Sequence, residues 1–257
     1  MSPDETVLTP EERAVLDESF VVRHRLEEQF RDLDQQHETA ALGMWVFLAT
    51  EVMFFGTLFL GVAVYRYLYQ HEVVRCSAKL NWKVGGVNTV VLLVSSVFMV
   101  LAVHYARIGR QRPLEWCLAI TAGLGVLFLG LKGYEYYTDF RDNLVPGTRY
   151  FDDEEWLKDE PHPPGVPLEP EEKALRPDQV PHVKLFLLFY WIMTALHGLH
   201  VTIGIAAVLT LLVLARRGHF SPAYYSPVDV TALYWHFVDI VWIFLLPMLY
   251  LLGSHTI

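Results

Sequence analysis

Residues 42–65 read LGMWVFLATEVMFFGTLFLGVAVY, and this stretch decides the fold. It exceeds the roughly 20 apolar residues that carry a helix across a bilayer, and its one charged side chain is Glu51. An ionisable group at bilayer depth costs several kcal/mol, roughly 2.5–3.5 by insertion-based estimates. Glu51 must therefore face protein, lipid headgroup or a water-filled path. Its helical neighbours are Phe47, Leu48, Phe54 and Phe55. Two readings follow: a proton-handling group near a conduction path, or a neutral acid that hydrogen-bonds a neighbouring helix.

Four more apolar blocks lie downstream, at about 85–105, 116–137, 183–214 and 231–253. Apolar residues make up 53% of the 257, and they gather in these blocks without strand-like alternation. Helices, which satisfy their own backbone groups, are the fold that such segments allow in lipid. The expected fold class is all-α: a polytopic integral membrane protein with five transmembrane helices in residues 41–257. An odd number of spans puts the termini on opposite sides.

Charge lies outside those blocks. Residues 1–40 hold 11 acids against 4 bases, and residues 139–182 hold 12 against 5. The remaining acids are Glu51, Glu72, Glu115, Glu135, Asp229 and Asp239. Arg and Lys near the span ends number eight on the N-terminal side and four on the other. The positive-inside rule then places the N-terminus inside, in the cytoplasm, and the C-terminus outside. No nucleic-acid partner is expected of such a chain.

The acidic arm 1–40 has no secretory signal pattern. Thr9-Pro10-Glu11-Glu12 reads as a helix start, with Thr as N-cap and Pro at the first position. The stretch from there to about His37 reads as a charged surface helix. The outer loop 139–182 is acidic and carries Pro161, Pro163, Pro164 and Pro167, so a compact domain is not expected there. It reads as a solvated connector, or as a surface steering a basic electron carrier.

Cys76 and Cys117 fall on opposite sides of that topology and cannot pair. His197 and His200 lie three apart on one face of the fourth span, and His236 and Asp239 three apart in the fifth. No two membrane histidines have the 13–14-residue separation usual for bis-haem bundles, and a metal on His197 and His200 would need ligands from another helix. The expected role is hydrogen bonding between helices or to lipid headgroups; no metal site is expected. Lys132 and Glu135 are spaced to pair. Tyr134, Tyr136, Tyr137, Tyr234 and Trp235 read as an interfacial aromatic belt. Asn88, Thr89, Ser95 and Ser96 suit close helix packing.

LGMWVFLATEVMFF (42–55), VNTVVLLVSS (87–96), EYYTDF (135–140), HGLHVTIG (197–204) and YWHFVDIVWIFLLP (234–247) stand in one order along the chain. In that order they resemble subunit III of the haem–copper oxidases, the family of cytochrome c oxidase and bacterial quinol oxidases, in a five-helix form. The resemblance implies a non-catalytic subunit with no redox cofactor of its own, haems and copper lying in partner subunits. It implies packing against oxidase subunit I, proximity to subunit II and to other respiratory-complex or supercomplex subunits, bound structural phospholipids, and support of proton uptake. Glu51 matches the family's intramembrane carboxylate. Asn88, Glu135, His197, His200, Trp235, His236 and Asp239 match positions expected to be structural or lipid-contacting. Glu at position 51 leans toward the cytochrome c branch. A quinol oxidase, a nitric oxide reductase accessory protein and a free-standing transporter are the alternatives; the transporter lacks support from internal repeats or broken helices.

Overall fold

The apolar blocks form five long helices, α1 (Leu33–Leu68), α3 (Trp82–Arg107), α4 (Gln111–Arg141), α6 (Val180–Arg216) and α7 (Ser226–Leu249), each long and apolar enough to span a membrane. Two short helices, α2 (Gln70–Lys79) and α5 (Asp153–Trp156), complete the described set. The computed structural model describes residues 26–27, 29–146, 151–159 and 174–250. All of its named elements are helical, and the chain is a multi-pass membrane protein.

The spans are longer than hydropathy alone marks out. Asp32 caps α1, its Oδ1 accepting the Gln35 amide at 2.7 Å. With no proline between Asp32 and Glu51, the cap starts a helix that runs unbroken into the membrane. Residues 33–37, expected in a separate surface helix, are instead the first turns of α1. The rest of that expected helix, with Thr9 and Pro10, lies outside the described residues.

α3 and α4 form an antiparallel hairpin with a regular seam. The buried residues of α3 are Gly85, Asn88, Leu92, Ser95, Met99, Ala102 and Ala106, spaced three and four apart. On α4 the same alternation runs through Leu114, Leu118, Thr121, Gly125, Phe128, Lys132, Glu135 and Asp139. This 3.5-residue period keeps one stripe of each helix toward its neighbour. Small residues in the stripe bring the backbones close, which matters where lipid tails are as apolar as the side chains. The connection is tight: Gly109 adopts φ 70°, and a Cβ there would lie 3.0 Å from Pro222 Cγ. Glycine answers both demands.

α7 is the best-covered helix, packed between α3, α6 and α1. α1 sits at the edge against α7 and leaves Leu42, Trp45, Val52, Met53 and Leu60 exposed. The end of the bundle where α1 starts is termed the N-face, and the end where α7 finishes the C-face. Tyr134 and Tyr137 are exposed, as an aromatic belt requires, but Tyr234 and Trp235 are 7% and 1% exposed and belong to the interior.

On the C-face, the ends of the acidic connector are tied down. Arg75 donates to the Lys158 carbonyl at 2.8 Å, and Trp191 Nε1 to the Leu144 carbonyl at 3.1 Å. Trp156 is buried beside Phe151, with Lys79 Nζ 4.4 Å above its ring. Both cysteines are free and buried, and burial pushes the Cys76 thiol pKa up. Pro161, Pro163, Pro164 and Pro167 lie outside the described residues.

Candidate functional site

Glu51 meets a histidine. On α1 its Oε2 lies 3.2 Å from Nε2 of His200 on α6, where Phe55 packs edge-on against the imidazole. The other nitrogen of His200, Nδ1, stands 2.8 Å from the Leu196 carbonyl. A carbonyl only accepts, so Nδ1 carries a hydrogen. A single proton then lies between Nε2 and Oε2. It belongs either to a carboxyl donating to a neutral ring or to an imidazolium donating to a carboxylate. The pair is neutral overall in both arrangements, which lets it sit in the membrane. Tyr234 fixes the same turn of α6 by donating to the His200 carbonyl at 3.1 Å.

A second polar group sits toward the C-face. Lys132 Nζ donates to Glu135 Oε2 at 3.0 Å and to the Tyr250 hydroxyl at 2.8 Å. Tyr250 in turn donates to Glu135 Oε1 at 2.6 Å. The Tyr190 hydroxyl lies 2.7 Å from Asp139 Oδ2 and 3.1 Å from Glu135 Oε1, and its one hydrogen serves either carboxylate. The rings of Tyr136, Tyr190, Trp242 and Tyr250 stand 5.1–5.5 Å from the ammonium, within cation–π range. The expected Lys132–Glu135 pair is present; Asp139, Tyr190 and Tyr250 were not foreseen as its partners.

His197 and His200 take different directions despite their spacing. His197 turns inward between Phe128 and Trp242, with ring centroids 5.6 and 5.1 Å away. It is 1% exposed, and neither ring nitrogen has a hydrogen-bond partner among the described residues. Asn88, fully buried on α3, has both amide atoms in the same condition. Trp242 Nε1 donates to Thr89 Oγ1 at 3.1 Å and Trp235 Nε1 to Ser95 Oγ at 2.9 Å, so two indoles pin α7 to α3.

At the next residue of each helix, His236 Nδ1 lies 2.5 Å from Ser96 Oγ. Asp239 is not bonded to His236, the pairing their spacing allowed. It is 3% exposed, and its buried carboxyl faces the Ser96 hydroxyl. Among those residues no three His, Cys, Asp or Glu side chains come together in a form that holds a metal ion.

Comparison with known proteins points one way. A family model described as cytochrome c oxidase subunit III matches residues 184–254. Cytochrome c oxidase subunit 3 of Thermostichus vulcanus is 29% identical over 228 residues, covering 86% of this chain and 92% of that protein. Cytochrome c oxidase subunit 3 of a Synechocystis strain is 29% identical over 211 residues, 82% of this chain and 74% of the relative. A probable quinol oxidase subunit 3 of Staphylococcus haemolyticus is 26% identical over 214 residues, 82% and 88% of the two chains.

Proposed function

Because the chain belongs to the subunit III family of haem–copper oxidases, we propose that it is the non-catalytic third subunit of a proton-pumping terminal oxidase in aerobic respiration. In this reading it packs against oxidase subunit I, holds phospholipid and supports proton uptake. The observation that carries it is similarity over 82–86% of the chain to proteins named as oxidase subunit 3. The exposed apolar side of α1 supports a partner or lipid interface within the membrane. Between α1 and α7 a cavity of about 350 Å³, lined by Val52, Phe55, Phe59, Ile240 and Phe244, suits a phospholipid acyl chain. Haems and copper reside in the partner subunits.

The donor assignment is cytochrome c, on the glutamate at position 51; quinol is the second reading, favoured by the quinol oxidase relatives. The membrane is assigned as a bacterial plasma membrane, with the N-face cytoplasmic. Affinity purification of the full chain from its native membrane tests the reading. Recovery of a haem-containing subunit I is expected, and its copper-site partner subunit selects the cytochrome c branch. Recovery of a lone oligomer that moves ions overturns the assignment in favour of a transporter.

The Glu51–His200 pair is assigned a supporting, proton-handling role near the partner. Glu51→Gln puts an amide in its place that can donate to a neutral Nε2, so the contact with His200 is kept and stability changes by less than about 1 kcal/mol. Assembly survives, while proton uptake or resistance to turnover-linked inactivation falls mildly. Glu51→Leu strips His200 Nε2 of its partner and costs about 1–3 kcal/mol. Loss of assembly in the Gln variant, read by subunit recovery on purification, assigns Glu51 a purely structural role instead.

A further inference from the structure

A buried ionisable group sits beside a cavity that runs toward the N-face. Asp239 projects from α7 into the α3–α7 interface, away from Phe237, which packs on Phe55 of α1. Its carboxyl oxygens are buried, and Ser96 is the side chain that faces them. The Ser96 hydroxyl beside it is engaged by His236 at 2.5 Å. His236 also lines a cavity of about 350 Å³ that continues past His104, Arg107 and Asp229. Arg107, half-exposed, lines the same cavity and bonds Asp229 at 3.0 Å.

The remaining titratable groups leave the carboxyl without a counter-ion. From α3, His104 and Arg107 lie at the far end of the cavity, where Arg107 is paired with Asp229. His37 of α1 also reaches Asp229, at 3.5 Å. From α6, His200 is engaged by Glu51 of α1, and His197 faces Trp242. Lys132 of α4 is held by Glu135 and Tyr250 beyond that indole. An ionised Asp239 would thus be an uncompensated buried charge, a costly state that lasts only until a proton returns. A proton carrier beside the carboxyl is what allows that return.

We propose that Asp239 is a proton-binding site that exchanges with the N-face through Ser96 and His236. In the loading direction, His236 takes a proton at Nε2 from water in the cavity. Its Nδ1 hydrogen passes to Ser96 Oγ as the Ser96 hydroxyl hydrogen moves to the Asp239 carboxylate. The products are a neutral carboxyl, an intact serine hydroxyl and a neutral imidazole protonated at Nε2. One proton has moved inward, and release runs the same steps in reverse. The role is separate from the Glu51–His200 pair, which lies on the other side of α7 and is not part of this route. It stands or falls independently of the oxidase branch.

Infrared spectroscopy of the full chain, purified from its membrane with its bound partners, tests this. The carbonyl stretch of a protonated buried carboxyl is expected in the wild-type protein, shifted by transfer to heavy water and absent in Asp239→Asn. In Ser96→Ala and in His236→Phe the band persists, but its hydrogen–deuterium exchange slows roughly 100-fold, the lower end of what a positioned proton carrier contributes. Helical circular dichroism and subunit recovery identify any variant that has failed to fold. For such a variant, Ser96→Cys and His236→Gln give the readout, both with exchange slower than wild type. A band that survives Asp239→Asn unchanged overturns the site. Exchange at the wild-type rate in the folded Ser96 and His236 variants overturns the route.

Discussion

Glu135→Leu destabilises the protein by about 3–5 kcal/mol, the cost of leaving one member of a buried ion pair without the other. The Lys132 and Glu135 side chains are 7% and 2% exposed, so solvent screens neither. Removing the carboxylate leaves the ammonium one conventional acceptor, the Tyr250 oxygen at 2.8 Å, and four aromatic faces. Tyr250 also loses the acceptor for its own hydrogen, and that residue ends α7 at the C-face. Lys132→Met is milder, because Tyr250 still donates to Glu135 at 2.6 Å. The double variant Lys132→Met/Glu135→Leu regains most of the loss, since well-packed apolar groups replace a buried pair at little cost. Thermal unfolding of the purified protein gives all three values. A double variant no more stable than Glu135→Leu rules out the ion pair as the source of the effect.

Such a network shows where sequence reading succeeds and where it stops. The five spans were legible because each apolar block exceeds the length of a membrane crossing. Their ends were not, because helices continue past the hydrocarbon wherever a cap such as Asp32 starts them early. α2 was missed: it is polar in composition, and it buries Glu72, Arg75 and Ser77 along with Val73 and Cys76, so no apolar stripe marks it. Within the site, Lys132 and Glu135 are three residues apart and were found. Tyr190 and Tyr250 come from helices 55 and 115 residues away from Glu135, a separation no local pattern reports. The same limit hid the Glu51–His200 contact, 149 residues apart, although each residue was singled out on its own. Trp235 misled for a different reason. Aromatic residues near span ends usually mark the lipid interface, and only the neighbouring helices reveal that this one points inward.

That inward tryptophan carries the second large effect. Trp235→Ala costs about 3 kcal/mol, the lower end of the range for removing a large aromatic side chain from a packed interior. The lower end applies because lipid is as apolar as the core, so the loss is of packing and not of transfer from water. The indole sits between two glycines. A Cβ on Gly125 of α4 would lie 2.8 Å from its Cη2, and a Cβ on Gly204 of α6 would lie 3.0 Å from its Cε3 and Cζ3. The glycines therefore make the slot that the indole fills, and Ser95 on α3 takes its N–H at 2.9 Å. Gly125→Ala overfills the slot and costs about 1–3 kcal/mol, since Ile205 crowds the same point at 2.9 Å. Trp235→Phe keeps a ring but vacates the outer edge, and it releases the Ser95 bond for about 1 kcal/mol. Combined with Gly125→Ala, it offers the new methyl the space Cη2 occupied. The pair must then be less damaging than the sum of its parts by about 0.5 kcal/mol or more, as residues in contact are. Thermal unfolding of the four proteins closes the cycle. Strict additivity means that the methyl meets Ile205 alone and that the Trp235–Gly125 contact does not hold α7 against α4.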